Sequence, residues 1–301
     1  MLTSMFYLAH ISDLHLSPLP SPSLFELCGK RLTGYLNWQK NRQGQMATNV
    51  LKTLMNTLKK TNPDHLLISG DLVNLALDKE FEQARNWLLN QGQPQNISLT
   101  FGNHDAYVRG AFSKACSLFQ PWITGDFPQN SSLPFPYMRI RKNIAIISAS
   151  SAIATPPFQA SGYFGKTQAQ ALSQLLNEAA KRDLFRVVMI HHPPFHHATS
   201  WHKKLWGIER FLNVIKHHGC ELILHGHTHL PTLNIIKGTV RKIPIVGVSS
   251  ASQAFGDNKT PPASFNLFAI DGENSQWHCQ LQRYSLINPK NEIACTEIVD
   301  L

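Results

Sequence analysis

The sequence ISLTFGNHD at residues 97–105 joins a largely apolar run to a cluster of polar side chains. A run of roughly four to eight such residues bounded by turn residues predicts a buried strand. Gly102 supplies the turn, and Asn103, His104 and Asp105 follow it directly. The stretch therefore predicts a strand whose C-terminal end carries groups able to bind a ligand.

The same arrangement occurs four more times, always with an apolar run directly before the polar residues. The other clusters are Asp13-Leu14-His15, Gly70-Asp71, His191-His192 and His225-Gly226-His227-Thr228-His229. Open α/β sheets bind ligands at the edge where the C-terminal ends of their strands lie. The clusters together supply carboxylate, amide and imidazole groups, and this mixed oxygen and nitrogen set suits transition metals.

In type and order, the five clusters resemble the pattern of the calcineurin-like metallophosphoesterases: D-x-H, G-D, G-N-H-D/E, a strand-terminal His and G-H-x-H. The resemblance covers residues 13–229 and is nearest to the branch that contains cyclic nucleotide and glycerophosphodiester phosphodiesterases. It implies an α/β fold in which two mixed β-sheets pack as a sandwich with helices outside, a four-layer α/β/β/α arrangement.

The resemblance also implies a site for two divalent metal ions. The residues it assigns are Asp13, His15 and His229 to the first ion, Asn103, His191 and His227 to the second, and Asp71 to both. Taken alone, the sequence would allow His192 in place of His191, although the following Pro193 favours His191. It also leaves open the metal, because Mn²⁺, Fe²⁺, Zn²⁺ and Co²⁺ all suit these ligands.

By the same resemblance, His104 would face the substrate and give a proton or hydrogen bond to the leaving oxygen. Asp105 would either fix the tautomer of His104 from behind, as outer carboxylates do for histidines in metal sites, or cap the loop. His225 is expected to pack or to support the site from outside it. The catalytic pair implied by the pattern is therefore His104 and Asp105.

The activity implied is metal-dependent phosphohydrolysis, in which a metal-bridging hydroxide attacks phosphorus in line, most simply as a phosphodiesterase. The alternative is a peripheral-membrane pyrophosphohydrolase acting on a nucleotide-linked lipid such as UDP-2,3-diacylglucosamine. A nuclease is disfavoured because no basic run is long enough to track a nucleic acid backbone. A metal-free scaffold is disfavoured because every expected ligand is present.

Composition bounds the class of protein and its partners. The 301 residues, 43% of them hydrophobic, predict one globular domain over 1–285 and a polar, loosely ordered tail over 286–301. No apolar stretch is long enough for a transmembrane helix, and five scattered cysteines fit reducing conditions, so a cytoplasmic location is expected. The net charge of +9 favours anionic partners, which include phosphate esters and the surface of an anionic membrane.

Two segments are not explained by metal binding. Residues 17–44 open with three prolines and continue with apolar and aromatic residues among basic ones, and they could form a short amphipathic helix. Residues 195–206, FHHATSWHKKLW, leave the strand that carries His191 and should overhang the metals. We interpret both as a substrate cap or membrane-contact surface; the alternative is ordinary loops that pack their aromatic residues inward.

Periodicity predicts helices and strands in alternation up to residue 230 and strands alone after it. Helices are expected at 45–60, 78–90, 166–182 and 207–218. Strands are expected at 5–11, 65–69, 96–101, 136–140, 144–149, 185–190, 221–225, 233–237, 243–248, 265–270 and 276–283. The strands after residue 230 are expected to form a second, largely antiparallel sheet.

Overall fold

The computed structural model describes residues 5–41, 47–127, 134–239, 241–255, 260–273 and 276–301. The helices are α1 (Lys30–Asn41), α2 (Thr48–Lys60), α3 (Asp78–Leu89), α4 (Ala111–Leu118), α5 (Lys166–Lys181) and α6 (Ile208–His218). The first nine strands are β1 (Phe6–Ile11), β2 (His65–Ile68), β3 (Ile97–Leu99), β4 (Tyr137–Arg141), β5 (Ile144–Ser148), β6 (Gly162–Tyr163), β7 (Phe185–Met189), β8 (Leu205–Trp206) and β9 (Leu222–His225). The last five are β10 (Leu233–Lys237), β11 (Lys242–Gly247), β12 (Ser264–Glu273), β13 (Gln276–Leu286) and β14 (Ile293–Asp300).

Within the described residues, twelve of these strands form two six-stranded mixed sheets. Their orders are β14-β13-β12-β1-β2-β3 and β10-β11-β9-β7-β5-β4. The remaining strands, β6 and β8, form a short parallel pair. The expected α/β fold with two mixed sheets is confirmed.

Side-chain alternation along the central strands builds three apolar layers. On β7, Val187 and Met189 point towards the other sheet and join a core that includes Phe6 and Leu8 of β1. Val188, between them, points outward into a core beneath α5 and α6. Because successive side chains of a strand face opposite sides, both faces of these sheets must be covered.

The helices supply that cover. Helix α2 buries Val50, Leu51, Leu54, Met55 and Leu58, which recur at helical spacing on one face. They belong to a core with β1, β2 and β3 side chains, on the side of that sheet away from its partner. Helices α5 and α6 cover the second sheet in the same way, so the layers are helix, sheet, sheet, helix.

Two expectations for the C-terminal third are wrong. The strands after residue 230 do not form a sheet of their own: β10 and β11 extend one sheet, and β12 to β14 extend the other. Residues 293–300, expected within a loose tail, form an edge strand that pairs with β13 in antiparallel register. The polar residues of this tail lie at 288–292, before the strand, whereas five of the eight residues of β14 are hydrophobic.

All four predicted helices are present, and their observed bounds lie within three residues of the expected ones. Residues 45 and 46, expected at the start of the first of these helices, lie outside the described residues. The amphipathic helix expected within 17–44 is α1; residues 42–44 also lie outside the described residues. Helix α4 was not predicted. None of the helices in the described ranges combines the length and apolar character needed to cross a bilayer.

Candidate metal centre

Backbone hydrogen bonds join the polar clusters where the strands of the two sheets end. The amide of Asp13 donates to the carbonyl of Gly70 at 2.9 Å, and that of His15 donates to Asp71 at 3.0 Å. The amide of Gly226 donates to His191 O at 3.0 Å. Loops that are far apart in the chain are therefore held side by side before any side chain is considered.

Asp13, His15 and His229 form the first group of donor atoms, which lie within 4.8 Å of one another. His229 Nε2 is 3.2 Å from Asp13 Oδ1. His15 donates its Nδ1 proton to Val73 O at 3.2 Å, and this contact directs Nε2 into the group. The structure thus brings together the three residues that the sequence assigned to one ion.

Asp71 lies between this group and His191. Its Oδ2 is 3.8 Å from His15 Nε2 and 3.4 Å from His191 Nε2. Its Oδ1 accepts the backbone amide of His104 at 2.8 Å, which fixes the carboxylate plane. Asp13, Asp71 and His191 form a second group of donor atoms within 4.8 Å.

Asn103 and His191 each carry a buried polar atom at this end of the sheets. Asn103 Oδ1 and His191 Nε2 make no hydrogen bond among the described residues. His191 donates Nδ1–H to Ser69 O at 2.7 Å, so Nε2 is the nitrogen that faces the centre. Asp71 Oδ2, at 3.4 Å, is the nearest charged group to His191 Nε2, and a bound cation could take ligands from both side chains and from Asn103 Oδ1.

His227, which the resemblance assigns to the second ion, lies beside the centre and is partly engaged by other groups. Its amide donates to Asp13 Oδ2 at 2.9 Å, and its ring lies 5.2 Å from that of His191. Its Nε2 bonds to Lys203 O at 3.0 Å, so Nδ1 is the nitrogen left for a metal. His227 lies beside the centre but is not in either group of donor atoms above.

The neighbouring histidines have structural partners on both nitrogens. His192 bonds to Ser151 Oγ at 2.8 Å and to Ala160 O at 3.0 Å. His225 bonds to Gly226 O at 2.9 Å and to Thr232 Oγ1 at 3.3 Å. Of the two histidines between which the sequence left a choice, only His191 has its Nε2 near Asp71, so His191 is the candidate ligand.

Left-handed backbone conformations concentrate at this site. The residues with positive φ here are Asp13, His15, Asp71, His227 and His229, with angles from 42° to 67°. Non-glycine residues adopt this region rarely, and such strain is characteristic of functional sites. Glycine is required beside them for a steric reason: a Cβ on Gly102 would overlap the Asp71 carboxylate, and one on Gly226 would overlap Ser12 and Asp13.

Of the two roles expected for Asp105, the contacts contradict the orientation of His104 and fit the capping of a loop. Its Oδ2 accepts the amides of Asp71 and Gly102 at 2.8 Å, and its Oδ1 accepts those of Leu72 and Val73. His104 Nδ1 instead donates to the carbonyl of Asn74 at 2.5 Å. Asp105 therefore joins the loop of Asp71 to that of Asn103, and a backbone carbonyl sets the tautomer of His104.

The sequence also missed residues around His104. The Tyr107 ring stacks on it at 5.4 Å, and Lys30 of α1 lies 4.5 Å above the Tyr107 ring. Glu80 holds the loop of Asn74 by accepting the amides of Asn74, Leu75 and Leu77. The sequence could have indicated Tyr107, because it is an aromatic residue close after the GNHD motif. No feature of the sequence indicates that the backbone carbonyl of Asn74 contacts His104.

The charges of the site suit a cation. Burial would raise the pKa of Asp71, but His191 and His104 outweigh it and hold that pKa well below its usual range. Burial would lower the pKa of His191, but the Asp71 and Asp13 carboxylates raise it to about 9. Burial would also raise the pKa of Asp13, but His229 holds that pKa below its usual range. Both buried carboxylates therefore stay ionised, and their negative charge suits a divalent ion.

Comparisons with known proteins agree on the family and the fold. The model of the calcineurin-like phosphoesterase family matches residues 6–231. A probable cyclic nucleotide phosphodiesterase of Synechococcus sp. is 26% identical over 226 residues, which are 74% of this chain and 72% of that protein. A solved dimetal phosphatase from Danio rerio superposes with a TM-score of 0.61 at 12% identity, covering 98% of each chain. Purple acid phosphatase PPD1 from yellow lupin, Lupinus luteus, superposes with a TM-score of 0.58 at 12% identity, and the match covers 99% of this chain and 54% of the lupin protein.

Proposed function

This chain belongs to the calcineurin-like phosphoesterase family, and from that premise we propose that it is a phosphodiesterase with a two-metal centre. Family and relatives support a metal-dependent phosphoric ester hydrolase. The diester preference is favoured by the similarity to the probable cyclic nucleotide phosphodiesterase. The anionic character of such substrates also suits the net charge of +9.

The observation that carries the two-metal proposal is the position of Asp71. Its Oδ2 stands 3.8 Å from His15 Nε2 and 3.4 Å from His191 Nε2, so one carboxylate faces both groups of ligands. The first ion would be held by Asp13, His15, Asp71 and His229, and the second by Asp71, Asn103, His191 and His227. When bound, such ions polarise the phosphoryl oxygens and lower the pKa of a bound water.

His104 is the residue that we propose for proton transfer. The carbonyl of Asn74 can only accept, so Nδ1 carries a proton and Nε2 is the nitrogen that exchanges one. The ring is fixed between His15, whose ring lies edge-on at 4.8 Å, and the stacked ring of Tyr107. A fixed imidazole at the rim of the centre can protonate the leaving oxygen without reorganising.

A second candidate function rests on the exposed apolar residues of 17–41. Leu24 and Phe25 lie in the open on the segment that also contributes Lys30 beside Tyr107. Such residues would suit a pyrophosphohydrolase acting on a nucleotide-linked lipid at a membrane surface. The reaction centre is the same in both cases, and only the substrate differs.

Hydrolysis of bis(p-nitrophenyl) phosphate by the Mn²⁺-loaded protein tests the proposal. We expect turnover that Asp71→Asn abolishes, while Asp78→Asn, at an exposed helix residue, retains it. Absence of turnover in a protein confirmed to contain metal would contradict a general diesterase. Hydrolysis of a pyrophosphate diester alone would then favour the second candidate.

A further inference from the structure

Three segments outside the two sheets form one connected surface, which we call the platform: residues 17–41, 152–163 and 195–206. Lys30 Nζ donates to Thr155 Oγ1 at 2.7 Å and to Gln159 O at 3.1 Å, which joins the first segment to the second. The amide of Ala160 donates to His202 O at 2.9 Å, which joins the second to the third. The short pairing of β6 with β8 strengthens the same junction.

The platform adjoins the metal centre. The carbonyl of Lys203 accepts the hydrogen bond from His227 Nε2, and the carbonyl of Ala160 accepts that from His192 Nε2, each at 3.0 Å. On the other side, Lys30 lies over the Tyr107 ring that stacks on His104. Whatever the platform binds is therefore brought next to the reacting groups.

Large apolar side chains project from every segment of the platform into solvent. Phe25 is 90% exposed and Leu24 86% in the first, Phe158 is 84% exposed in the second, and Trp201 is 64% exposed in the third. Scattered single apolar residues are normal on a protein surface. Four that project from three interlinked segments around one site indicate an interaction surface instead.

The charge of the platform favours an anionic partner. Its basic residues are Lys30, Arg31, Lys40, Lys203 and Lys204, and its one acidic residue is Glu26. Lys30 and Arg31 are bonded within the protein, to Thr155 and to backbone carbonyls of the Asn74 loop respectively. Lys203 and Lys40 are exposed, and Lys204 lies 3.7 Å over the ring of Trp206. Exposed aromatic and aliphatic tips among cations are typical of proteins that rest on an anionic bilayer.

We propose that the platform docks on the surface of an anionic phospholipid bilayer, with Leu24, Phe25, Phe158 and Trp201 inserted among the head groups. A protein partner fits less well, because the centres of protein interfaces are depleted of lysine. Docking would place the metal centre against phosphate esters that project from the membrane. Docking itself is independent of the proposed hydrolysis, whereas this delivery of substrate rests on it.

Cosedimentation with vesicles tests the proposal. We expect the wild type to bind vesicles that contain phosphatidylglycerol, to release them at high salt, and to leave phosphatidylcholine vesicles unbound. The variant Phe25→Ser/Phe158→Ser/Trp201→Ser should bind at least about tenfold more weakly, because it loses apolar tips from all three segments. The matched control Ile235→Ser/Ile298→Ser alters residues 62% and 61% exposed on edge strands and should bind as the wild type does.

Equal binding by the wild type and the platform variant, or no binding by the wild type, would overturn the proposal. Concentration-dependent self-association that the platform variant abolishes would also overturn it, because the surface would then join copies of the chain. If the variant unfolds at lower temperature, Phe25→Ser alone, in an exposed turn, should still weaken vesicle binding severalfold. Vesicle binding without diester hydrolysis would refute the proposed function only, and hydrolysis without vesicle binding would refute docking only.

Discussion

Asp13 Oδ2 accepts a hydrogen bond from the backbone amide of His227 at 2.9 Å, although 214 residues separate the two in the chain. Asp13 Oδ1 meanwhile lies 3.2 Å from His229 Nε2. One carboxylate therefore positions the backbone of the GHTH motif with one oxygen and faces a metal position with the other. The two ends of the family match are joined at the centre itself.

Asp71→Asn is expected to remove metal from both positions. An amide keeps the shape of the side chain but loses the negative charge shared by the two ligand groups, so affinity should fall by more than about 100-fold. Elemental analysis after Mn²⁺ loading and dialysis measures this directly. Asp78→Asn, which replaces an exposed carboxylate paired with Lys114, is the control and should bind metal as the wild type does. Full metal content in Asp71→Asn would contradict the bridging position.

His104→Gln is expected to spare the metals and slow the chemistry. Loss of a positioned proton donor should lower kcat by about 10²–10⁴. The pH–rate profile should lose the limb that depends on His104, while metal content by elemental analysis stays at the wild-type value. Loss of metal together with activity would instead identify His104 as a ligand, which its proximity to His15 and Asp71 permits.

Asp105→Asn is expected to lower the free energy of unfolding more than it lowers the catalytic rate of the folded protein. The new NH₂ group would face backbone amides that now donate to a carboxylate, which should lower the free energy of unfolding by roughly 2–4 kcal/mol. Denaturant unfolding of metal-free protein measures the change. A variant of wild-type stability that has lost activity would show that Asp105 acts in the reaction rather than in holding the two loops.

Acid is expected to destabilise the fold through buried His65. Burial and the nearby Arg141 and Arg139 hold the pKa of His65 well below its ordinary 6.5. Below pH 6.5, His65 is protonated in the unfolded chain but not in the folded chain, and this proton uptake favours unfolding. The free energy of unfolding is therefore unaffected by His65 above pH 6.5 and falls as the pH is lowered. Between pH 7 and 5.5 the loss should be about 1 kcal/mol.

His65→Gln can still bond to Ser98 Oγ, the partner of His65 Nε2, but cannot titrate. Denaturant unfolding at pH 7 and 5.5 should therefore show a pH dependence smaller by that amount in the variant. An identical pH dependence in the two proteins would mean that His65 is protonated in the folded state.

Much of the fold was predictable because its central strands carry a strong local signal. The apolar runs before Asp13, Asp71, Asn103, His191 and His225 are buried on both faces, and this requirement shows in the sequence. Sheet membership was not predictable for β10 to β14, because alternation tells which residues are buried but not which strand lies alongside. Strand β14 was missed because the polar run at 288–292 precedes it, although five of its eight residues are hydrophobic.

The candidate site was predictable in its residues but not in its contacts. Side chains such as Asp71 and His191 can be recognised from a motif, and the structure places them 3.4 Å apart. The groups that orient His104 and His191 are the backbone carbonyls of Asn74 and Ser69. Because every residue has a backbone carbonyl, no sequence motif reveals which one makes such a contact. The error over Asp105 has this origin, since a side chain was expected where a backbone atom acts.

The central position of β1 constrains how the protein is made. Strand β1 pairs with β2 on one side and with β12 on the other, so one partner of residues 6–10 is not translated until residues 266–270. At about 5–20 residues per second, a ribosome takes roughly 10–50 s to cover that interval. Asp13 and His15 are synthesised at its beginning and His229 near its end. During translation the nascent chain therefore presents an unpaired strand edge and an incomplete ligand set, which a chaperone or a wrong metal can reach first.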